Sequence, residues 1–292
     1  MTIAAGFFCS DGSVLSTDTL MTASPSKIHQ SKLVHFEFPG GKIGFAYAGN
    51  VAAALSAINK VKKRLTSRKR SNPFDEVERT LEREYKRQVL NHPDHKEDPD
   101  LDYWFLFALW LPKDRVRLYG TSGISIYPID SWDAIGIGAD LMRFIMQQGN
   151  PHGTASQAIA LSSYALSSIK DCVDGCGGMS LHLVVSNEGE VGLVTSISEG
   201  PPKGLQEFAK EFDFMVRNAL MQMTNADAST QDVKRYLDES IVPRLLTVHD
   251  RWSASLAKRE AQFAALNPQF SAVQVKQAVR RLSIGLSPLP PP

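Results

Sequence analysis

The stretch TIAAGFFCSDGSVLSTDT, residues 2–19, decides the fold. Two short β-prone runs, 2–9 and 13–17, flank the dipeptide Asp11-Gly12. An Asp-Gly pair between two such runs is a strong signal for a tight β-hairpin. The stretch therefore predicts two antiparallel strands joined by a short turn.

Further elements follow from the period of the apolar residues. Strands are predicted at 32–38, 42–48, 103–111, 115–120, 179–186 and 190–197, and helices at 51–65, 73–90, 139–148 and 154–170. The order is strands, helices, strands, helices, strands. It predicts two antiparallel sheets with helices packed outside them, a layered α+β sandwich.

The run GPPKG, residues 200–204, separates this sandwich from the remainder of the chain. Residues 1–199 are predicted to form the sandwich domain, and residues 200–292 a helical C-terminal extension with a proline-rich tail. By their period, the helices of the extension are predicted at 205–223, 230–246, 249–266 and 271–282.

Composition excludes several classes of function. Lys plus Arg is 32 and Asp plus Glu is 31, so the net charge is +1, and no global field attracts nucleic acid or an anionic membrane. Three cysteines are too few for a disulfide framework, and Cys172 and Cys176 lack the second pair that a zinc site needs. No apolar run approaches the ~18–20 residues of a membrane span, and no signal peptide is recognisable. We expect a cytoplasmic protein that binds no nucleic acid, membrane or metal.

Thr2 is the candidate nucleophile. A Thr hydroxyl attacks a carbonyl only when a base removes its proton, and removal of Met1 would give Thr2 its own base, the free α-amine. The pKa of an α-amine is roughly 7.7–8.0, so it can accept and return a proton at neutral pH. Such a site also needs a cation that keeps the amine neutral and a carboxylate that holds the cation.

Residues 2–19 resemble the opening of proteasome β-subunits and of their simpler two-ring bacterial relative. In that family the first mature residue is Thr, and an acidic residue sixteen positions later corresponds here to Asp18. The family lysine at the start of a strand corresponds to Lys32, with Lys27 as the alternative. Gly49, within GFAYAGNVAAALSAI, matches the glycine whose N–H points into the oxyanion hole.

The resemblance covers about residues 2–197, and it carries expectations for fold and activity. It implies the four-layer αββα sandwich of the N-terminal-nucleophile (Ntn) hydrolases. It also implies a self-compartmentalised threonine protease that cleaves peptide or protein substrates without a metal or an organic cofactor. The expected partners are further copies of the chain, in a ring or a related homo-oligomer, and an ATP-dependent unfoldase.

Two departures from the family pattern keep other functions open. Ile137 stands between Gly136 and Gly138, where catalytic members carry Ser, and Cys176 replaces a second Ser. The residue expected to hydrogen-bond the α-amine of Thr2 is then Asp171, with Asp174 as the alternative. The other functions are a catalytically inactive structural or binding subunit with the same fold, and a small-molecule amidase.

Overall fold

The fold is mixed α/β, with antiparallel sheets and helices packed on them. In the computed structural model of the chain, the described residues are 2–23, 26–67, 72–94, 98–147, 153–195, 231, 234–235, 238–239, 242–266 and 268–283. The chain divides into two compact units, formed mainly by residues 1–202 and 203–283. The predicted boundary at 199–200, the predicted helix 205–223 and the proline-rich tail lie outside the described residues.

The first sheet is built around the hairpin that the sequence predicts. Strands β1 (Ile3–Cys9) and β2 (Gly12–Asp18) pair in a register that sets Ala4 opposite Thr17. The remaining strands are β10 (Trp132–Gly136), β11 (Ser180–Ser186) and β12 (Val191–Thr195), and the order in the sheet is β10-β1-β2-β11-β12. Every pairing in this sheet is antiparallel.

The second sheet has the order β5-β6-β7-β8-β9 and is also antiparallel. Its strands are β5 (Leu33–Phe38), β6 (Gly41–Gly49), β7 (Tyr103–Trp110), β8 (Arg117–Ser122) and β9 (Ser125–Ile129). A separate two-stranded ribbon consists of β3 (Leu20–Ala23) and β4 (Ser26–His29). Sequence periodicity predicts neither this ribbon nor β9 and β10.

The helices of this unit fall close to their predicted positions. They are α1 (Val51–Ser67), α2 (Pro73–Tyr85), α3 (Ala139–Gln147) and α4 (Ala155–Cys172). A π-helical turn over Lys86–Leu90 continues α2. Caps fix two starts: the Asn72 side chain accepts from the amide of Phe74, and Thr154 and Gln157 form a capping box.

Three buried apolar clusters hold these elements together. One combines residues of both sheets, such as Leu15 and Leu106. A second joins the first sheet to α3 and α4, and a third joins the second sheet to α1 and α2. Small residues allow close packing in the first cluster, since a Cβ added at Gly44 would lie 2.6 Å from a methyl carbon of Leu183. Burial of these apolar surfaces is the main source of stability.

The second unit is described mainly over two helices, α5 (Val242–Leu266) and α6 (Ala272–Ser283). α6 lies close to the predicted 271–282, whereas α5 runs through the break predicted between the helices 230–246 and 249–266. Most of residues 230–241 lie outside the described residues. Val275, Ala278 and Val279 are buried, and the rings of Phe263 and Phe270 meet edge to face at 5.6 Å. Among the helices in the described ranges, none combines the length and the apolar composition that crossing a bilayer requires.

A buried polar network links α4 to the first sheet. His182 on β11 is fully buried, with Nδ1 2.9 Å from Ser16 Oγ and Nε2 3.0 Å from Ser163 Oγ. Ser16 Oγ also donates to Ser162 Oγ at 3.0 Å. Burial, followed by the charge of Lys170, lowers the pKa of His182 from 6.5 to about 3. His182 is therefore neutral in the folded protein at ordinary pH.

This network makes the fold sensitive to acid. The folded state binds fewer protons at His182 than the unfolded state between pH 6.5 and about 3, so stability present above pH 6.5 is lost as the pH falls. The expected contribution is about 1.4 kcal/mol of unfolding free energy per pH unit. Urea denaturation between pH 6.5 and 4.5 should give a shallower pH slope for His182→Gln than for the wild type. The exposed His35→Gln is the control and should keep the wild-type slope. Equal slopes for all three proteins would contradict the assignment.

Candidate active site

The centre of the site is the carboxylate of Asp18, which is fully buried at the end of β2. Its Oδ1 accepts from Lys32 Nζ at 2.6 Å and from Thr2 Oγ1 at 3.1 Å. The amide of Ile3 reaches the same oxygen at 3.3 Å, and the amide of Gly177 donates to Oδ2 at 2.8 Å. Because a buried charge is costly unless it is paired and hydrogen-bonded, these donors are what allow a carboxylate here.

Lys32 forms a buried ion pair with Asp18. It lies just before β5, is 1% exposed, and also donates to the carbonyl of Leu20. Burial lowers the pKa of Lys32, while the neighbouring Asp18 carboxylate opposes this shift. The structure thus brings Lys32 to Asp18, whereas the alternative, Lys27, is exposed on β4.

Thr2 stands at the start of β1 and lines a cavity of about 910 Å³. The ends of β6 and β10 form two of the cavity walls, and Trp104 and Tyr127 line it as well. Gly136 has a φ of +94°, and a Cβ there would lie 2.3 Å from the Thr2 carbonyl oxygen. Only glycine fits there, so β10 can approach the backbone of Thr2 closely.

Gly49 is the second glycine that the site requires. It ends β6 with a φ of +89°, and an added Cβ would lie 2.2 Å from the carbonyl oxygen of Asp102. That oxygen accepts from the amide of Asn50 at 2.8 Å, which fixes the turn into α1. Gly49 and Thr2 line the same cavity. The predicted role of the Gly49 amide toward an oxyanion stays a prediction.

The late loop, residues 173–179, reaches the site through its backbone. Asp171 and Asp174 are both exposed, and their predicted role beside the α-amine stays a prediction. Cys176 is buried next to Gly138, where an added Cβ would lie 3.4 Å from its sulfur. Burial, then Asp18, raises the pKa of Cys176 to about 11, so this cysteine is a neutral thiol.

Two residues with contacts near Asp18, Gly177 and Lys170, were not predicted from the sequence. The Gly177 amide binds Asp18, and Lys170 binds the same loop by donating to the Gly178 carbonyl at 2.9 Å. A main-chain donor cannot be recognised from residue type, and a lysine in the last turn of a helix is too common to indicate a role. Ile137 lies on the cavity wall with 52% of its surface exposed.

Comparisons with known proteins show which solved structures have a similar fold. No family model matches the chain, and no curated protein matches it. Among solved structures, the Gly-1 mutant of Anbu from Hyphomicrobium sp. strain MC1 aligns with a TM-score of 0.64 and 14% identity, over 78% of this chain and 100% of that one. The helical assembly of the Anbu complex from Pseudomonas aeruginosa gives 0.63 and 16%, over 76% and 96%. Anbu (ancestral beta-subunit) from Yersinia bercovieri gives 0.61 and 14%, over 74% and 97%.

These likenesses correct the family assignment made from the sequence. The assignment to proteasome β-subunits is wrong, because the neighbours above are Anbu proteins, a distinct proteasome-like family, and no family model or curated protein supports the β-subunit assignment. The sequence signal was unspecific for a physical reason. The residues that carried it are a threonine, a hairpin, a carboxylate and a lysine, and a short pattern of this kind does not identify a family. At these identities, the likeness shows the fold alone.

The buried pair makes a prediction about stability. Asp18→Asn leaves the Lys32 ammonium buried without its counter-ion, and breaking a buried pair in this way costs about 3–5 kcal/mol of unfolding free energy. Asp140→Asn is the matched control, because Asp140 is 98% exposed in its pair with Arg143, and an exposed pair contributes about 0–1 kcal/mol. Urea denaturation at pH 7 measures both variants. A loss below about 1 kcal/mol for Asp18→Asn would show that the pair does not hold the site.

Proposed function

We propose that this chain is an Anbu-like N-terminal threonine hydrolase that cleaves peptide or other amide bonds, on a four-layer αββα sandwich. The observation that supports this function is the buried group of Thr2, Lys32 and Asp18 at the wall of a large cavity. The three apolar clusters support the layer order, because each sheet packs against the other sheet on one face and against helices on the other.

The mechanism begins once Met1 is removed. The α-amine of Thr2 accepts the hydroxyl proton while Oγ1 attacks the amide carbonyl. The amide of Gly49 stabilises the oxyanion of the tetrahedral intermediate, a contribution of about 3 kcal/mol for one well-placed donor. The amine then gives its proton to the leaving nitrogen, and water hydrolyses the ester formed on Thr2.

Lys32 and Asp18 act on this proton transfer without bonding to the substrate. A nearby ammonium disfavours the protonated form of the α-amine, so the amine stays available as a base. Asp18 holds both the Lys32 ammonium and the Thr2 hydroxyl on one oxygen, Oδ1. Asp171, in the last turn of α4, is the proposed support for the amine, with Asp174 as the alternative.

We propose that the chain works as a homo-oligomer on peptide or protein substrates. The Anbu complex from Pseudomonas aeruginosa forms a helical assembly, which supports self-association in this fold. Confinement inside an assembly would restrict which substrates reach Thr2. The ATP-dependent unfoldase and the cytoplasmic location remain predictions from the sequence.

One observation favours a second candidate, a non-catalytic subunit with the same fold. Ile137 lies on the cavity wall and has no side-chain group that can hydrogen-bond the α-amine. Retained Met1 would favour this candidate, because Thr2 would then lack its α-amine base, and the Lys32–Asp18 pair would serve only to hold the fold. A small-molecule amidase remains the third candidate.

The nucleophile gives the direct test. Mass spectrometry of the purified protein should show a chain that begins at Thr2, and a β-lactone probe should add covalently to that residue. With a fluorogenic peptide library, Thr2→Ala should lose more than about 1,000-fold in kcat, as expected for removal of a nucleophile. Thr2→Ser should keep part of the activity, because its hydroxyl and α-amine remain. Retained Met1 together with no β-lactone adduct would reject the hydrolase and favour the non-catalytic subunit.

A further inference from the structure

Lys170 occupies an unusual position for a lysine in the last turn of a helix. Such lysines commonly face solvent near the final carbonyls of their own helix. Lys170 is instead partly buried, and its Nζ donates to two groups beyond α4, the Gly178 carbonyl at 2.9 Å and the Ser180 hydroxyl at 2.7 Å. Ser180 is fully buried and pairs with Asp18 in the β11–β2 register.

Residues 177–179, next to the groups that Lys170 binds, make several of the backbone contacts around Asp18. The Gly177 amide donates to Asp18 Oδ2, and the Gly177 carbonyl accepts from the amides of Thr19 and Leu20. The Met179 amide donates to Thr19 Oγ1 at 2.9 Å. A shift of this segment would therefore withdraw a donor from Asp18 and loosen the chain just after it.

We propose that Lys170 is a positioning residue of the hydrolase, which ties α4 to Gly178 and Ser180 and thereby holds the Gly177 amide on Asp18. This inference rests on the proposed function. With Oδ2 occupied by the amide, Oδ1 remains directed at Lys32 and Thr2. Lys170 does not line the cavity that Thr2 lines, so its proposed effect passes through the orientation of Asp18.

The burial of Lys170 and the charged groups around it make its hydrogen bonds to Gly178 and Ser180 dependent on pH. Five titratable groups act on it or are acted on by it: Asp18, Cys176, Lys32, Asp171 and His182. Burial is the largest cause that lowers the pKa of Lys170, to about 8, and the Lys32 charge also lowers it, while Asp18, Cys176 and Asp171 oppose the shift. Below that pH the ammonium donates to both acceptors. Above it the neutral amine is a weaker donor, so the tie loosens as the pH rises through about 8.

The first experiment needs no activity. Hydrogen exchange of the peptide that spans residues 173–181, corrected for intrinsic rates, should be about tenfold faster in Lys170→Met than in the wild type at pH 7. Lys170→Arg keeps a charge and should restore most of the protection. In the wild type the protection should fall above pH 8, and in Lys170→Arg it should persist. Lys63→Met on α1, where Lys63 is exposed, is the control and should match the wild type.

The second experiment measures peptide hydrolysis against pH. Lys170→Met should lower kcat about tenfold at pH 7 with KM changed less than twofold, because Asp18 and not the substrate loses its placement. The wild-type kcat should fall above about pH 8, and in Lys170→Arg this fall should move upward by more than one pH unit. An unchanged position would assign the fall to Lys32, whose pKa is also lowered, and would overturn the proposal.

The two experiments separate this proposal from the proposed function. If the wild type hydrolyses nothing, the hydrolase is rejected, and hydrogen exchange still decides whether Lys170 holds the loop. Unchanged exchange in Lys170→Met overturns the inference whatever the activity. If Lys170→Met does not fold, the comparison of Lys170→Arg with the wild type across pH 7–9.5 decides in its place.

Discussion

The buried ion pair between Lys32 and Asp18 is the interaction on which the rest of the structure depends. Removing two charges from water costs several kcal/mol per ion, and a pair of this kind persists only when further hydrogen bonds complete it. Here the completing donors come from separate parts of the chain, with Thr2 and Ile3 at the start of β1 and Gly177 in the late loop. Compared with a well-packed apolar pair the ion pair adds little net stability, but removing one partner is costly, so the pair fixes these segments in one arrangement.

The three apolar clusters and the polar group around Asp18 have different roles in the structure. The three clusters supply the free energy that holds sheets and helices together, and they tolerate exchange of similar side chains. The polar group around Asp18 lies where strand ends meet, with Thr2 just before β1, Gly49 ending β6 and Gly136 ending β10. Strand ends can carry a site because their backbone groups are not all used in the sheet.

The contact between Thr2 and Asp18 in the candidate site could be predicted because it follows from one hairpin. Asp11-Gly12 fixes the β1–β2 register, and this register brings Asp18 back beside Thr2. The choice between Lys32 and Lys27 depended on tertiary packing, which periodicity does not contain. Strands β9 and β10 were missed because each has five residues and β9 contains a proline, a weak strand signal. The family assignment failed because it rested on a short stretch of sequence, which does not identify a family by itself.

The Gly177 contact with Asp18 has a consequence for which substitutions the late loop can accept. The donor is a main-chain amide, which every residue except proline possesses, so substitution of the side chains around it leaves the donor in place. The glycines of the loop cannot be exchanged in the same way, because Gly175 and Gly178 have φ values of +87° and +72°, and a Cβ added at Gly178 would lie 2.4 Å from Thr19 Oγ1. The requirement on this loop is therefore one of backbone shape: the glycines set the path of the chain, and that path presents the Gly177 amide to the carboxylate.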